Sequence, residues 1–149
     1  MKLSIISLCL FLSILFSSCD IDGYGKKITV SDRTEVFIIK DATEAEAKKM
    51  GNYFDSTWKE QTQKKSFQLA KDSGNYTVRM VVDTEKVKDS SLDESFQAVQ
   101  FLLADQVFKG STVKLILTDD KFKDFKTFVN SDMYKSEDEV TTDSTKVNN

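Results

Sequence analysis

EVFIIKDATEAEAKKMGNYFDSTW, residues 35–58, passes from one hydrophobic period to another within a few residues, and that change governs how the rest of the chain is read. Glu35 to Lys40 holds the run Val36-Phe37-Ile38-Ile39, apolar on both faces of an extended chain, which suits a strand inside a sheet. Thr43 and Glu46 follow with capping-box spacing, so that hydroxyl and carboxylate can each satisfy an orphan amide at a helix start. Ala47, Met50, Phe54 and Trp58 then recur at steps of three and four, the stripe of an amphipathic helix. Gly51 shares that side of the helix, where it costs about 1 kcal/mol relative to alanine. A close approach between helix and sheet is the expected reason.

Upstream of this unit, Lys27 to Val30 forms a short alternating segment, joined to it through Ser31-Asp32-Arg33. Downstream, Phe67 and Leu69 alternate with Ser66, Gln68 and Ala70, a half-buried strand. Asp72-Ser73-Gly74-Asn75 supplies a turn with a residue free to take positive φ, and Tyr76 to Val82 returns as the second arm of a hairpin. Ser91 and Glu94 repeat the capping-box spacing. The helix they open has the expected stripe Leu92, Phe96, Val99, Leu103 and Val107, widened by Ala98, Leu102 and Phe108, and Gly110 stops it. Val113, Leu115 and Leu117 alternate in a further strand, and Phe122, Phe125, Phe128 and Val129 have the spacing of a short C-terminal helix. From Ser136 to Asn149 the chain is polar and without apolar period, the composition of a disordered tail.

Leaving the first short strand aside, the order is β-α-β-β-α-β. The expected fold class is therefore α+β, a ferredoxin-like mixed sheet with the helices packed on one face, plus an extra N-terminal strand and a short C-terminal helix. One conflict stands within that expectation. The segment at Lys27 to Val30 suits a hairpin with Val36 to Ile39, yet the ferredoxin-like order already fills both sides of that strand. Within this core, the stretch from Thr43-Glu44-Ala45-Glu46-Ala47-Lys48-Lys49-Met50-Gly51 through the hairpin to Thr118-Asp119-Asp120 resembles a family of uncharacterised exported bacterial α+β proteins. The resemblance implies one module and brings no biochemical role with it.

The N-terminus has a different logic. Met1-Lys2-Leu3 is followed by an apolar run to Phe16 and then by Ser17-Ser18-Cys19. A charged start, a short apolar core and small residues ahead of a cut make a signal peptide. The run stops well short of the about 20 apolar residues of a membrane span. Phe16-Ser17-Ser18-Cys19 resembles the lipobox of bacterial lipoproteins, with Phe16 where leucine is usual. The resemblance implies cleavage before Cys19 and acylation of its thiol. Cys9, the other cysteine, lies within the signal, so Cys19 has no disulfide partner in the exported chain. Two or three acyl chains hold a protein on a membrane stably, whereas one is marginal. The expected organisation is a signal at residues 1–18, a tether at 19–26, a single α+β domain at 27–135 and the polar tail at 136–149.

Composition excludes several chemistries. There is no histidine, so Ser-His-Asp, Cys-His and histidine-ligated metal sites are absent. A net charge of -3 and only two arginines, Arg33 and Arg79, argue against nucleic acid and against a dedicated phosphate site. The five glycines are scattered and form no phosphate loop. Asp83, Glu85 and Asp89 after one strand, and Asp119 and Asp120 after another, are the remaining acidic groups to weigh. Unpatterned loop carboxylates are more often turn formers and caps than catalytic groups, and the alternation of a calcium loop is missing. Trp58 and Tyr53 can form an aromatic platform, although the place of Trp58 on the core stripe favours packing.

The reading that follows is a non-catalytic binding or structural module of the cell envelope, held on a membrane through Cys19, the outer membrane before the inner, and using no cofactor and no metal. Its partner is an envelope protein, and the candidate interaction face is the side of the sheet turned away from the helices: Thr77, Arg79 and Val81 on one strand, Lys114 and Ile116 on the next. Two alternatives stay open, a small-ligand or metal-ion binding protein using the acidic loops, and a carboxylate-dependent envelope hydrolase. A concave pocket with converging polar groups favours a ligand, and a flat exposed sheet favours a protein partner.

Overall fold

The computed structural model describes residues 23–60 and 62–129. The signal peptide, Cys19 and the polar tail of the sequence reading lie outside the described residues. The order of elements is β1 (Lys26–Thr29), β2 (Thr34–Lys40), α1 (Glu44–Thr57), β3 (Lys65–Asp72), β4 (Asn75–Val81), α2 (Asp93–Leu102), β5 (Val113–Thr118) and β6 (Asp124–Val129). A π-helical turn, Leu103–Val107, continues α2.

The architecture is α+β, a six-stranded mixed sheet with two helices, but the strands lie in sequence order, β1-β2-β3-β4-β5-β6. This corrects the ferredoxin-like arrangement. The strand at 35–40 is flanked by β1 and β3, not by the third and fourth strands of a split unit. The cause is local. Ser31 Oγ accepts from the amides of Arg33 (3.2 Å) and Thr34 (3.1 Å), closing a tight β1–β2 turn. Closing so short a loop costs little chain entropy, so β1 occupies that edge and no later strand can take it. β5 is displaced to the far side of β4, with which it runs parallel.

Both helices lie on one face, as the register makes plain. Val36, Phe67, Met80 and Leu117 form one row across the sheet, and Ile38, Leu69, Val78, Leu115 and Phe128 the next. Phe54 of α1 stacks on Phe67 at 4.4 Å, and Phe96 of α2 on Phe128 at 5.9 Å, so the two helices cover the same rows. β2 and β4 point in opposite directions, and both connections step the same way along the sheet. The two crossovers are therefore of opposite hand, one of them against the strong preference for right-handed connections.

The α1 cap forms as the spacing predicts: Glu46 N donates to Thr43 Oγ1 (3.2 Å), and Thr43 N donates to Glu46 Oε2 (2.8 Å). Ala47, Met50 and Phe54 are fully buried. Gly51 is where the helix meets Val30, beyond β1: a Cβ on it would stand 2.5 Å from Val30 Cγ2. The close approach is real, and it is to a side chain at the end of β1.

Three local expectations need correction. Ser91 does not cap α2; its amide and hydroxyl donate to Asp89, and the helix begins after Leu92 without a side-chain cap. Leu92 and Ala98 are exposed, while Gln100 is fully buried, its Nε2 donating to Val113 O (3.0 Å). The expected C-terminal helix is a strand, β6. Phe122 lies in the preceding loop at φ 58, Phe125 is exposed beside a register shift, and only Phe128 packs beneath α2.

A cleft between the helix ends

α1 lies over β2 and reaches β1, and α2 lies over β5 and β6. α1 reaches over β3 at Phe67, where Phe54 stacks, and the two helices converge over β3 and β4 at the Tyr76 end. At that end Lys49 Nζ donates to Val107 O, and the ring of Tyr76 stacks on Phe108 at 3.9 Å. Beneath the start of α1, Glu46 Oε1 accepts from Lys71 Nζ (2.7 Å) and from Tyr76 Oη (2.6 Å). Burial pushes the Glu46 carboxyl up, but hydrogen bonds from Lys71, Tyr76 and Thr43 outweigh it and hold it at about 2. This end is closed and its charges are fully partnered.

At the other end the helices stand apart, and a cleft of about 410 Å³ opens between the last turn of α1 and the first of α2. Met80, only slightly exposed, lies at its floor beside the fully buried Phe67, Trp58 makes one wall and Phe96 the other, with Gln63 and Asp83 at the rim. Its volume lies in the range of small-ligand sites. Trp58 follows α1 because its backbone amide still donates to Phe54 O (2.9 Å), and its ring packs on Phe54 at 4.7 Å. Trp58 is thus core and cleft wall at once.

Lys65 is the charged group inside. It occupies the same register as Phe67 and Leu69, so its side chain points to the helix face, and the residue is only 9% exposed. Its ammonium donates to Trp58 O at 3.3 Å and lies 5.2 Å from the centre of the Trp58 ring. Among the described residues no carboxylate is within ion-pair distance of it. Burial pushes the Lys65 amine below its usual range, and the charge of Asp55 restores part of that while Arg33 adds to the lowering. Asp55 itself is engaged elsewhere. Burial raises its carboxyl, but hydrogen bonds from Ser31 and Thr34 win and leave it below the usual carboxylate range. The neighbouring Lys64 turns to the other face and pairs with Glu35 (2.7 Å).

The other face of the sheet is not bare. Phe37, Gln68, Arg79, Ile116 and Thr127 form a row across it. Tyr24 and Phe122 lie over the Phe37 end, with ring centres 5.5 Å apart and each within 6.0 Å of Phe37. Gln68 Nε2 donates to Tyr24 O (2.9 Å), so the last residues of the expected tether belong to the fold. Of the five candidate interaction residues, Thr77, Arg79 and Val81 are half-buried, Ile116 is buried and Lys114 alone is exposed. Arg79 is further engaged by Asp124 (2.7 Å).

The acidic loops have local work. Asp83 pairs with Lys86 (3.2 Å), Asp89 accepts from Ser91, and Asp119 Oδ1 accepts from the amides of Lys121 and Lys123. Among the described residues no three of His, Cys, Asp and Glu gather as metal ligands do.

Lys65 was missed in the sequence, although a signal for it existed: a lysine two residues before Phe67 falls on the apolar side of the alternation. What surrounds it depends on Trp58 and Phe96, which only the packing of α1 and α2 brings to opposite walls.

No curated protein and no solved structure matches this chain. The AF_1994_N family N-terminal domain matches residues 27–131, which run from within β1 past the end of β6 and include the cleft, and the chain therefore belongs to that family.

Proposed function

We propose that this chain is an exported, non-catalytic binding module, tethered to a membrane of the cell envelope through acylated Cys19, and that it holds a small ligand in the cleft between α1 and α2. The observation that carries the ligand reading is the cleft itself: a concavity between the aromatic walls Trp58 and Phe96, with the part-buried ammonium of Lys65 at its edge. Concavity and a lining that mixes apolar side chains with polar groups are features this cleft shares with small-molecule sites. The other side of the sheet supports a protein partner less well, because Ile116 is buried and Arg79 is already paired. Anchoring by two or three acyl chains follows from the lipobox-like Phe16-Ser17-Ser18-Cys19 and keeps the site close to the membrane.

Two measurements test the two halves. Mass spectrometry of the membrane-extracted protein is expected to find a chain beginning at acylated Cys19, with Cys19→Ser unprocessed or released; a free thiol at Cys19 would end the anchor reading. For the cleft, the neutral apolar fluorophore N-phenyl-1-naphthylamine is expected to bind the folded domain saturably at one site. Gln63→Trp, at the exposed rim, should block that site while leaving the melting temperature unchanged. Absence of saturable binding, or binding indifferent to Gln63→Trp, would remove the ligand reading.

A further inference from the structure

The ligand reading leaves open what kind of molecule the cleft takes, and Lys65 bears on that. A side chain with three N–H donors is nine-tenths buried here, and among the described residues it has one rather long hydrogen bond, to Trp58 O, and one aromatic face. A buried ammonium ordinarily has a carboxylate partner, because charge withdrawn from water without one is costly. The same protein shows the ordinary solution on the other side of its sheet, where Glu35 takes both Lys27 (2.6 Å) and Lys64 (2.7 Å). It shows it again at the closed end, where Glu46 takes Lys71 (2.7 Å). Lys65 lines the cleft without a carboxylate partner among the described residues, whereas Lys64, which also borders it, gives its charge to Glu35.

The other charged groups around the cleft do not complete it. Asp55 is bonded to Thr34 and Ser31, Asp83 at the rim is paired with Lys86, and Lys64 with Glu35. Beside the ammonium, Trp58, Val82 and Phe96 offer apolar surface, and the other lysine of the lining, Lys64, is engaged by Glu35.

We infer that the cleft selects a small amphiphilic anion, with its carboxylate on the Lys65 ammonium and its apolar body against Trp58, Val82 and Phe96. The inference rests on the cleft being a ligand site. The carboxylate supplies the partner that Lys65 lacks, in a setting where a charge-assisted hydrogen bond is stronger than a neutral one.

Octanoate, octanol and octylamine share an eight-carbon body and differ in the charge of the head. Competition of each against bound N-phenyl-1-naphthylamine, with fluorescence of Trp58 (the chain's only tryptophan) as a second readout, ranks them directly. Octanoate is expected to displace the probe at about a tenfold lower concentration than octanol, with octylamine weakest. Lys65→Met, which retains length and apolar bulk, should erase the octanoate–octanol difference, read as the ratio of the two displacing concentrations, which does not depend on the probe's own affinity. Equal displacement by octanoate and octanol in the wild-type protein would overturn the anion preference and leave the ligand site standing. Failure of the neutral probe itself would overturn both. The wild-type ranking depends on no variant's folding.

Discussion

Glu46 and Lys65 are both mostly buried ions on the helix-covered face of one sheet, and they sit at opposite ends of it. Around Glu46 everything converges: the first turn of α1, Lys71 at the end of β3 and Tyr76 at the start of β4. Around Lys65 the helices diverge, and its partners among the described residues are a carbonyl and a ring. A charge whose hydrogen-bonding capacity is filled locks elements together. A charge left underfilled beside a cavity is available to whatever enters it. The two ends teach that in this fold stability and recognition are separated along the strands.

The largest expected effect belongs to the closed end. Tyr76→Ala removes a ring stacked on Phe108 and a hydroxyl donated to Glu46, and should lower stability by about 3–5 kcal/mol in urea titrations. A loss below about 1 kcal/mol would mean that the closed end is not a lock.

Glu46→Gln should cost about 2 kcal/mol at neutral pH, since Lys71 and the tyrosine hydroxyl would lose an ionised acceptor. The effect is pH-dependent with a definite sign. The folded-state carboxyl is held at about 2 against an ordinary 4.5, so the unfolded chain takes up the proton first. The stabilisation is fully present above about pH 4.5 and fades as pH falls toward 2. Wild type and Glu46→Gln should therefore converge in stability over that window. Glu35, also held at about 2 against an ordinary 4.5, keeps a residual acid sensitivity in the variant; burial pushes it up and hydrogen bonds from Lys27, Lys64 and Ser66 more than reverse that. A constant gap between the two proteins from pH 6 to 2.5 would contradict this account.

The smallest effect sharpens the contrast. Lys65→Met exchanges an ammonium lacking a carboxylate partner for an apolar chain of similar length in an apolar wall, and should leave stability within about 1 kcal/mol of wild type, or raise it. A loss as large as that of Glu46→Gln would make Lys65 a structural ion like Glu46 and erase the distinction between the two ends.

Much of this was legible in the order of residues, wherever the signal is local. The period-two arms of the β3–β4 hairpin, the turn at Ser73-Gly74 with both residues at positive φ, and the Thr43–Glu46 cap each depend on neighbours a few positions away. The same logic misled at residues 122–129. Phe122, Phe125 and Phe128 have helical spacing, yet each serves a separate surface: the back of the sheet, solvent and the underside of α2. Ser91 misled likewise, because Asp89 accepts both its amide and its hydroxyl, which holds Ser91 in the preceding turn, and the helix starts only after Leu92.

What the sequence determined by itself was the strands and helices from β1 to β5, the buried faces of α1 and of the strands, the absence of histidine chemistry and the expectation of a lipid-bearing cysteine at the N-terminus. Strand order was decided only in three dimensions, because the β1–β2 turn and the longer crossovers compete for the same edge of β2, and a one-dimensional period carries no information about which neighbour wins. The cleft was decided there too. Lys65 stands on the apolar side of its strand in any reading, but whether a carboxylate, a roof or open space faces it depends on where α1 and α2 part, and that separation is set by packing over β1–β2 and β5–β6 rather than by any residue near the lysine.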